Sequence, residues 1–279
     1  MPDWRPLIVR RKDGFPRIMG VLNITPDSFF EDSRTNNISE TIKIAGSMIQ
    51  NGADWLDIGG ESTRPGANPV SKEEEISRVI PVIRELRRKF PRIGISIDTR
   101  RAEVAELSLK EGADMINDIS ALGDENMLTV IKESDCYICL MHMRGLPENM
   151  QNNPQYDDVV IEVREILNKK VNLLVDKGVN PNRIIVDPGI GFGKSLDHNL
   201  SLLKSGRKIV PMRNVGLMWG VSRKSMFSEL LGRMDARDRL AGTLGIAAMS
   251  KSKAVDIIRV HDVAEHTDLF RAMSALEDF

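Results

Sequence analysis

Eight short apolar runs recur along the chain, separated by longer segments whose apolar residues return every three or four positions. The runs occupy 17–24, 55–60, 94–99, 115–120, 137–142, 184–189, 215–222 and 257–262. They are rich in Ile, Val, Leu and Met and mostly continuous rather than alternating, the pattern of strands covered on both faces. Between them, Val163, Ile166, Leu167, Val171 and Leu174 keep the 3.6-residue helical spacing, as do Ile76, Val79, Ile80, Ile83 and Leu86. The second of these helices opens on a capping-box pattern, Ser71 to Glu74, with Glu73, Glu74 and Glu75 where the helix dipole favours carboxylates. Pro81 falls inside it and predicts a kink or a break.

Strand and helix alternating in this way predict an α/β fold, a (β/α)8 TIM barrel. Ahead of the first strand, 7–11 and 15–18 flank the turn Lys12-Asp-Gly14 and predict an N-terminal β-hairpin plugging the bottom of the barrel. Ala241, Gly242, Gly245, Ala247 and Ala248 crowd a helix over 240–250. Such small residues cost helix propensity and predict close approach to another helix, within the chain or in a second subunit. No composition break divides the chain, so 1–279 is expected to be one domain, with 1–16 as the hairpin.

Composition excludes several classes of function. With 41% hydrophobic residues, 28% charged residues and a net charge of -1, there is no electrostatic case for nucleic acid or an acidic membrane as partner. No apolar stretch has the length to span a bilayer, and Met1-Pro-Asp-Trp-Arg5 lacks a signal core, so the expected location is cytoplasmic. Cys136 and Cys139 form a C-x-x-C, but within a strand residues three apart point to opposite faces. They are expected to be structural, not a redox or zinc pair.

The chemistry collects where the runs end. In order stand Asn23, Glu61, Asp98, Asn117, His142, Asp187, Ser222 with Arg223 and Lys224, and Arg259 with His261. The carboxyl ends of barrel strands are where such folds build active sites. Asp98, Asn117 and Asp187 with Lys224 make a surface of acceptors and donors suited to a flat heterocycle bearing several N–H and C=O groups. Arg259 and His261 alternate with Val260 and share a face; with the carboxamide of Asn23 offered to a hard cation such as Mg²⁺, they suit a phosphorylated group. The loops 23–29 and 59–66, with their Pro, Gly and oxygen donors, are expected to fold over a ligand. Gly189-Ile-Gly-Phe-Gly-Lys-Ser195 fits neither a Walker A loop, since position 188 is Pro, nor a dinucleotide fingerprint. It reads as a tight turn bringing backbone and Phe192 to the ligand.

These motifs resemble one family closely, the dihydropteroate synthases of the folate pathway. The resemblance rests on Asn23-Ile-Thr-Pro-Asp-Ser-Phe29, Gly60-Glu-Ser-Thr-Arg-Pro-Gly66, Ile97-Asp-Thr99, Ile116-Asn-Asp118 and Leu140-Met-His-Met143. Asp187-Pro-Gly-Ile-Gly-Phe-Gly-Lys194, Gly220-Val-Ser-Arg-Lys224 and Arg259-Val-His-Asp262 complete it in the family's order. It implies a (β/α)8 barrel, usually a homodimer, that needs Mg²⁺. The implied reaction condenses 6-hydroxymethyl-7,8-dihydropterin diphosphate with 4-aminobenzoate to 7,8-dihydropteroate and diphosphate, by dissociative displacement.

By the same resemblance Asp98, Asn117, Asp187 and Lys224 hold the pterin edge, with Met141 and Phe192 as apolar walls. Asn23 ligates the metal, and Thr63, Arg259 and His261 bind the diphosphate, Arg259 also lying against the pterin ring. Phe29, Thr63, Arg64, Pro65, Ser222 and Lys224 form the aminobenzoate pocket. After Phe29 the chain departs from the family with Phe30-Glu-Asp-Ser-Arg34, and Arg144 stands where Gln or Lys is common. A pterin-binding methyltransferase barrel shares the heterocycle pocket, but needs no diphosphate site. A non-catalytic pterin-binding homologue would keep the pocket without turnover.

Overall fold

The computed structural model describes residues 6–24, 34–61, 70–145, 150–151 and 153–277. Its strands are β1 (Arg17–Asn23), β2 (Trp55–Gly59), β3 (Gly94–Asp98), β4 (Met115–Asp118), β5 (Tyr137–Met141), β6 (Ile184–Asp187), β7 (Gly216–Gly220) and β8 (Ile257–Val260). All pair in parallel in sequence order, and β1 pairs with β8 to close the barrel. Every predicted strand is present. Each ends one or two residues short of its run, because the polar side chains there mark where the backbone leaves the ladder.

Alternation along each strand sorts the side chains. Leu56, Ile58, Ile95 and Ile97 face outward into the core beneath the helices. Trp55, Met115, Ile185, Met218 and Ile257 face inward and fill the barrel. Two residues further along the same strands the inward positions become Asp57, Asn117, Asp187, Gly220 and Arg259. A barrel plugged by apolar side chains below thus carries a polar floor at its carboxyl end. Cys136 joins the outer core and Cys139 the barrel interior, both buried and not bridged to each other, so they face opposite ways as their spacing requires.

Several local expectations are refined. Helix α2 (Lys72–Lys89) runs on through Pro81. Val79, Val82, Ile83 and Leu86 are buried on either side of it, and that packing outweighs one lost backbone bond. Ser71 caps the helix by accepting from the Glu74 N–H, but the Glu74 carboxylate pairs with Arg78 instead of returning to the cap. Helix α5 (Val159–Asp176) buries Val163, Leu167, Val171 and Leu174 as predicted and leaves Ile166 exposed. In α8 (Leu240–Ala247) one close approach lies within the chain: a Cβ on Gly242 would lie 2.7 Å from Phe227 and Leu231 of α7 (Met226–Leu231), whereas a Cβ on Gly245 would meet nothing within 4 Å among the described residues.

The N-terminal segment corrects the hairpin expectation. The chain does turn at Gly14, where its N–H bonds the Arg11 carbonyl at 3.0 Å. Residues 7–11 nevertheless form no strand. Carbonyls that would have built a ladder go to side chains at the bottom of the barrel, Leu7 O to the Trp55 indole N–H at 3.0 Å and Val9 O to Arg17 at 2.8 Å. Ile8 still plugs that end, buried with Met19 and Trp55 in the barrel interior, while Phe15 packs in the outer core, stacked on Phe270 of α9 (Val263–Glu277). Among the described residues no helix is long and apolar enough to cross a membrane.

Candidate active site

At the carboxyl end of the barrel a narrow slot is lined by Asp98, Asn117, Asp187, Lys224 and Arg259, with Ile119, Met141 and Phe192 as its apolar walls. It opens into a cavity of about 590 Å³ that shares Phe192, Gly220, Lys224 and Arg259 and adds Asn23, Ser222 and His261. Residues from seven strands and the β7–α7 turn therefore meet on one surface.

Arg259 organises the slot. Its Nε donates to Asp57 at 2.6 Å and its Nη2 to Asp98 at 2.8 Å. Asp57, wholly buried in mid-β2, also accepts from the Asn117 amide at 3.2 Å. The remaining oxygens Asp57 Oδ1, Asp98 Oδ1 and Asn117 Oδ1 are buried without a partner among the described residues. Unpaired buried acceptors are costly, and a ligand edge with N–H donors removes that cost.

Burial tunes the charges here. It pushes Asp98 up to about 7, against the pull of Arg259 and with the help of Asp57 and Glu75. Burial raises Asp187 as well, opposed by the Gly189 N–H donating to its Oδ1 at 2.7 Å. Lys224 is pushed down to about 8 by desolvation, with Asp187 resisting. For Arg259 desolvation works against the charge, but Asp57 and Asp98 outweigh it and hold the guanidinium above its ordinary value.

Turns aim these groups. Arg223 takes the left-handed conformation, φ 53°, held by two bonds to Asp262 at 2.8 and 2.6 Å and by its N–H to Thr243 at 3.0 Å. That bend sends Lys224 into the slot, its ammonium 4.1 Å from the Phe192 ring centroid, and leaves the Ser222 hydroxyl 2.9 Å from His261 Nδ1.

The matches to known proteins agree with this layout. Residues 19–261 match the family model described as pterin binding enzyme. Dihydropteroate synthase of Escherichia coli K12 is 42% identical over 260 residues, covering 93% of this chain and 91% of the relative. The chain belongs to the dihydropteroate synthase family.

As a dihydropteroate synthase family member it is a transferase of folate biosynthesis with a pterin-binding TIM barrel. Two solved family structures superpose closely. That of Xanthomonas albilineans with 4-aminobenzoic acid has a TM-score of 0.87 and 37% identity, covering 95% of this chain and 94% of that one. That of Burkholderia cenocepacia complexed with 7,8-dihydropteroate has a TM-score of 0.85 and 38% identity, covering 94% and 92%.

Of the residues named from the sequence, Asn23, Asp98, Asn117, Met141, Asp187, Phe192, Ser222, Lys224, Arg259 and His261 all line these two connected spaces. Phe29, Thr63, Arg64 and Pro65 lie outside the described residues. Glu61 lies outside the slot. It accepts from the Val70 N–H at 3.1 Å and pairs with Arg100 and Arg101 at 3.2 and 3.3 Å, tying the two ends of the 61–70 segment together. Glu75, expected only to suit the helix dipole, is buried and paired with Arg101. His142 is buried behind the slot, beside Lys194. Asp57 was not foreseen; its signal is one carboxylate inside the otherwise apolar run Trp55-Leu-Asp-Ile-Gly59.

Proposed function

We propose that this chain joins 6-hydroxymethyl-7,8-dihydropterin diphosphate to 4-aminobenzoate, yielding 7,8-dihydropteroate and diphosphate. One observation carries the reading. A slot of buried acceptors with an opposing lysine shares Arg259 with a larger cavity bearing Asn23 and His261. The ligands named for the two superposed family structures support it.

In this reading the Asp187 carboxylate accepts from the adjacent N–H donors of the aminopyrimidinone. Asp98 and Asn117 take the remaining N–H groups, Lys224 donates to the ring, and Met141 and Phe192 cover its faces. Thr63, Arg259 and His261 bind the diphosphate. Ser222 and Lys224, with Phe29, Thr63, Arg64 and Pro65, receive the aminobenzoate. The bond from the exocyclic carbon to the diphosphate oxygen breaks with its electron pair on the leaving group. The electron-rich dihydropterin spreads the positive charge left on that carbon, and the neutral arylamine nitrogen then bonds to it. The amine proton passes to diphosphate or water, so the site needs no strong base. Positioning and electrostatics supply the acceleration.

The donor set fits Mg²⁺. Asn23 offers one hard carboxamide oxygen in the larger cavity, and the described residues contain no group of three or more His, Cys, Asp or Glu that could hold a metal. An ion that retains several waters and takes substrate phosphate oxygens requires little more from protein. Bound there, it supplies positive charge to the diphosphate oxygens. We extend the proposal to a single domain over 1–279 acting in the cytoplasm as a homodimer, with small-molecule partners only. Incubating the protein with both substrates and Mg²⁺ is expected to yield 7,8-dihydropteroate and diphosphate in equal amounts. Pterin binding without either product would overturn the reading.

The slot also predicts a pH optimum. Asp98 must be ionised to accept N–H donors and Lys224 protonated to donate. Asp98 gains its charge as pH rises through about 7, and Lys224 loses its charge above about 8. The kcat/KM for the pterin diphosphate, which reports the free enzyme, is expected to peak between them. A Lys224→Met variant that kept the alkaline fall would remove Lys224 from that role.

A further inference from the structure

The loop joining β6 to α6 (Leu196–Ser205) presents Phe192 to the slot, and its backbone is held almost entirely by side chains. Gly189 O and Phe192 O accept from the Lys194 ammonium at 3.0 and 2.9 Å, Gly191 O from Gln151 at 2.5 Å, and Gly193 O from the Tyr156 hydroxyl at 3.0 Å. The Lys194 ammonium lies at the centre, 3.0 Å from His142 Nδ1 and 3.3 Å from His142 O at the end of β5. Only 3% of Lys194 is exposed, and no carboxylate pairs with it among the described residues. Burial pushes its ammonium down to about 7. The loop also lies directly on β5: at Gly189, φ +67°, a Cβ would fall 1.9 Å from the His142 carbonyl oxygen.

A buried ammonium is expensive where it serves packing alone. Here it gathers three carbonyls and an imidazole from two chain segments that no strand pairing joins beyond Asp187. We propose that Lys194 is a positioning residue for the pterin substrate, clamping the β6–α6 loop onto the end of β5 so that Phe192 and Asp187 are held at the height of the slot. The proposal rests on the pterin-slot reading above. Lys194 itself touches no substrate; it acts through the loop.

The test is calorimetric titration with 6-hydroxymethylpterin, steady-state kinetics and amide hydrogen exchange on wild type, Lys194→Met and Tyr156→Phe. Lys194→Met is expected to weaken pterin binding and raise the KM for pterin diphosphate about tenfold, with kcat within roughly twofold of wild type. Exchange at amides 189–194 should accelerate with it. Tyr156→Phe removes one hydroxyl from a half-buried ring, and should move pterin affinity roughly threefold in the same direction. Should Lys194→Met fail to fold, unchanged affinity in Tyr156→Phe overturns the proposal. Equal losses in kcat and both KM values, tracking a lower Tm, overturn it too. A wild-type protein that binds no pterin removes the slot reading and the clamp together, whereas wild-type binding with unaffected variants removes the clamp alone.

Discussion

Arg259→Met is expected to lower kcat/KM for the pterin diphosphate by about a hundredfold or more, equivalent to about 2.7 kcal/mol of lost transition-state stabilisation. Two effects combine. The guanidinium is the cation shared by the slot and the diphosphate cavity, so its removal strips positive charge from the place where the leaving group gathers negative charge. It also bonds Asp57 and Asp98 at 2.6 and 2.8 Å, and without it two buried carboxylates face each other with no cation between them. One of them must then take up a proton. Asp98, already raised to about 7, is the candidate, and its protonation removes an acceptor from the pterin site. Arg259→Lys keeps a charge but cannot present two donors in a fixed fork to both acids, so it should recover only part of the loss. Diphosphate release measured on the three proteins decides; wild-type turnover in Arg259→Met would remove the residue from the mechanism.

The difference between what the chain spelled out and what it concealed has a physical cause. Strand and helix periods are local properties, and a barrel strand covered on both faces is an unbroken apolar run ended by polar residues. Both the eight strands and the residues at their carboxyl ends were therefore readable. Pairing is not local. Glu61 meets Arg101 forty residues on, and Arg101 also meets Glu75, because α2 and the start of α3 (Ala102–Lys110) converge beside the second loop. No spacing rule encodes that approach, so Glu75 passed for a dipole-matched surface acid. Asp57 was hidden differently. It lies inside a strand rather than at its end, and its partners Arg259 and Asn117, 202 and 60 positions away, make a buried carboxylate tolerable. Pro81 and the failed hairpin have one explanation: tertiary partners, whether buried neighbours or Trp55 and Arg17, overrode a sound local preference.

Asp187→Ala is expected to weaken pterin binding by about a hundredfold, because a carboxylate facing paired N–H donors makes charge-assisted bonds and their loss leaves those donors unsatisfied. Alanine also deprives the Gly189 N–H of its acceptor at 2.7 Å, so part of the loss would come through a loosened β6–α6 loop. Asp187→Asn separates the two contributions. Its carboxamide oxygen can still accept from Gly189, whereas its NH₂ group opposes the pterin donors. If direct recognition dominates, Asp187→Asn should bind 6-hydroxymethylpterin nearly as poorly as Asp187→Ala while amides 189–194 stay as protected as in wild type. Near-native affinity in Asp187→Asn would instead assign this carboxylate to holding the loop and move recognition of the ring edge to Asp98 and Asn117. Those two residues stand on neighbouring strands, and among the described residues their buried oxygens have no partner, which leaves them free to take it over.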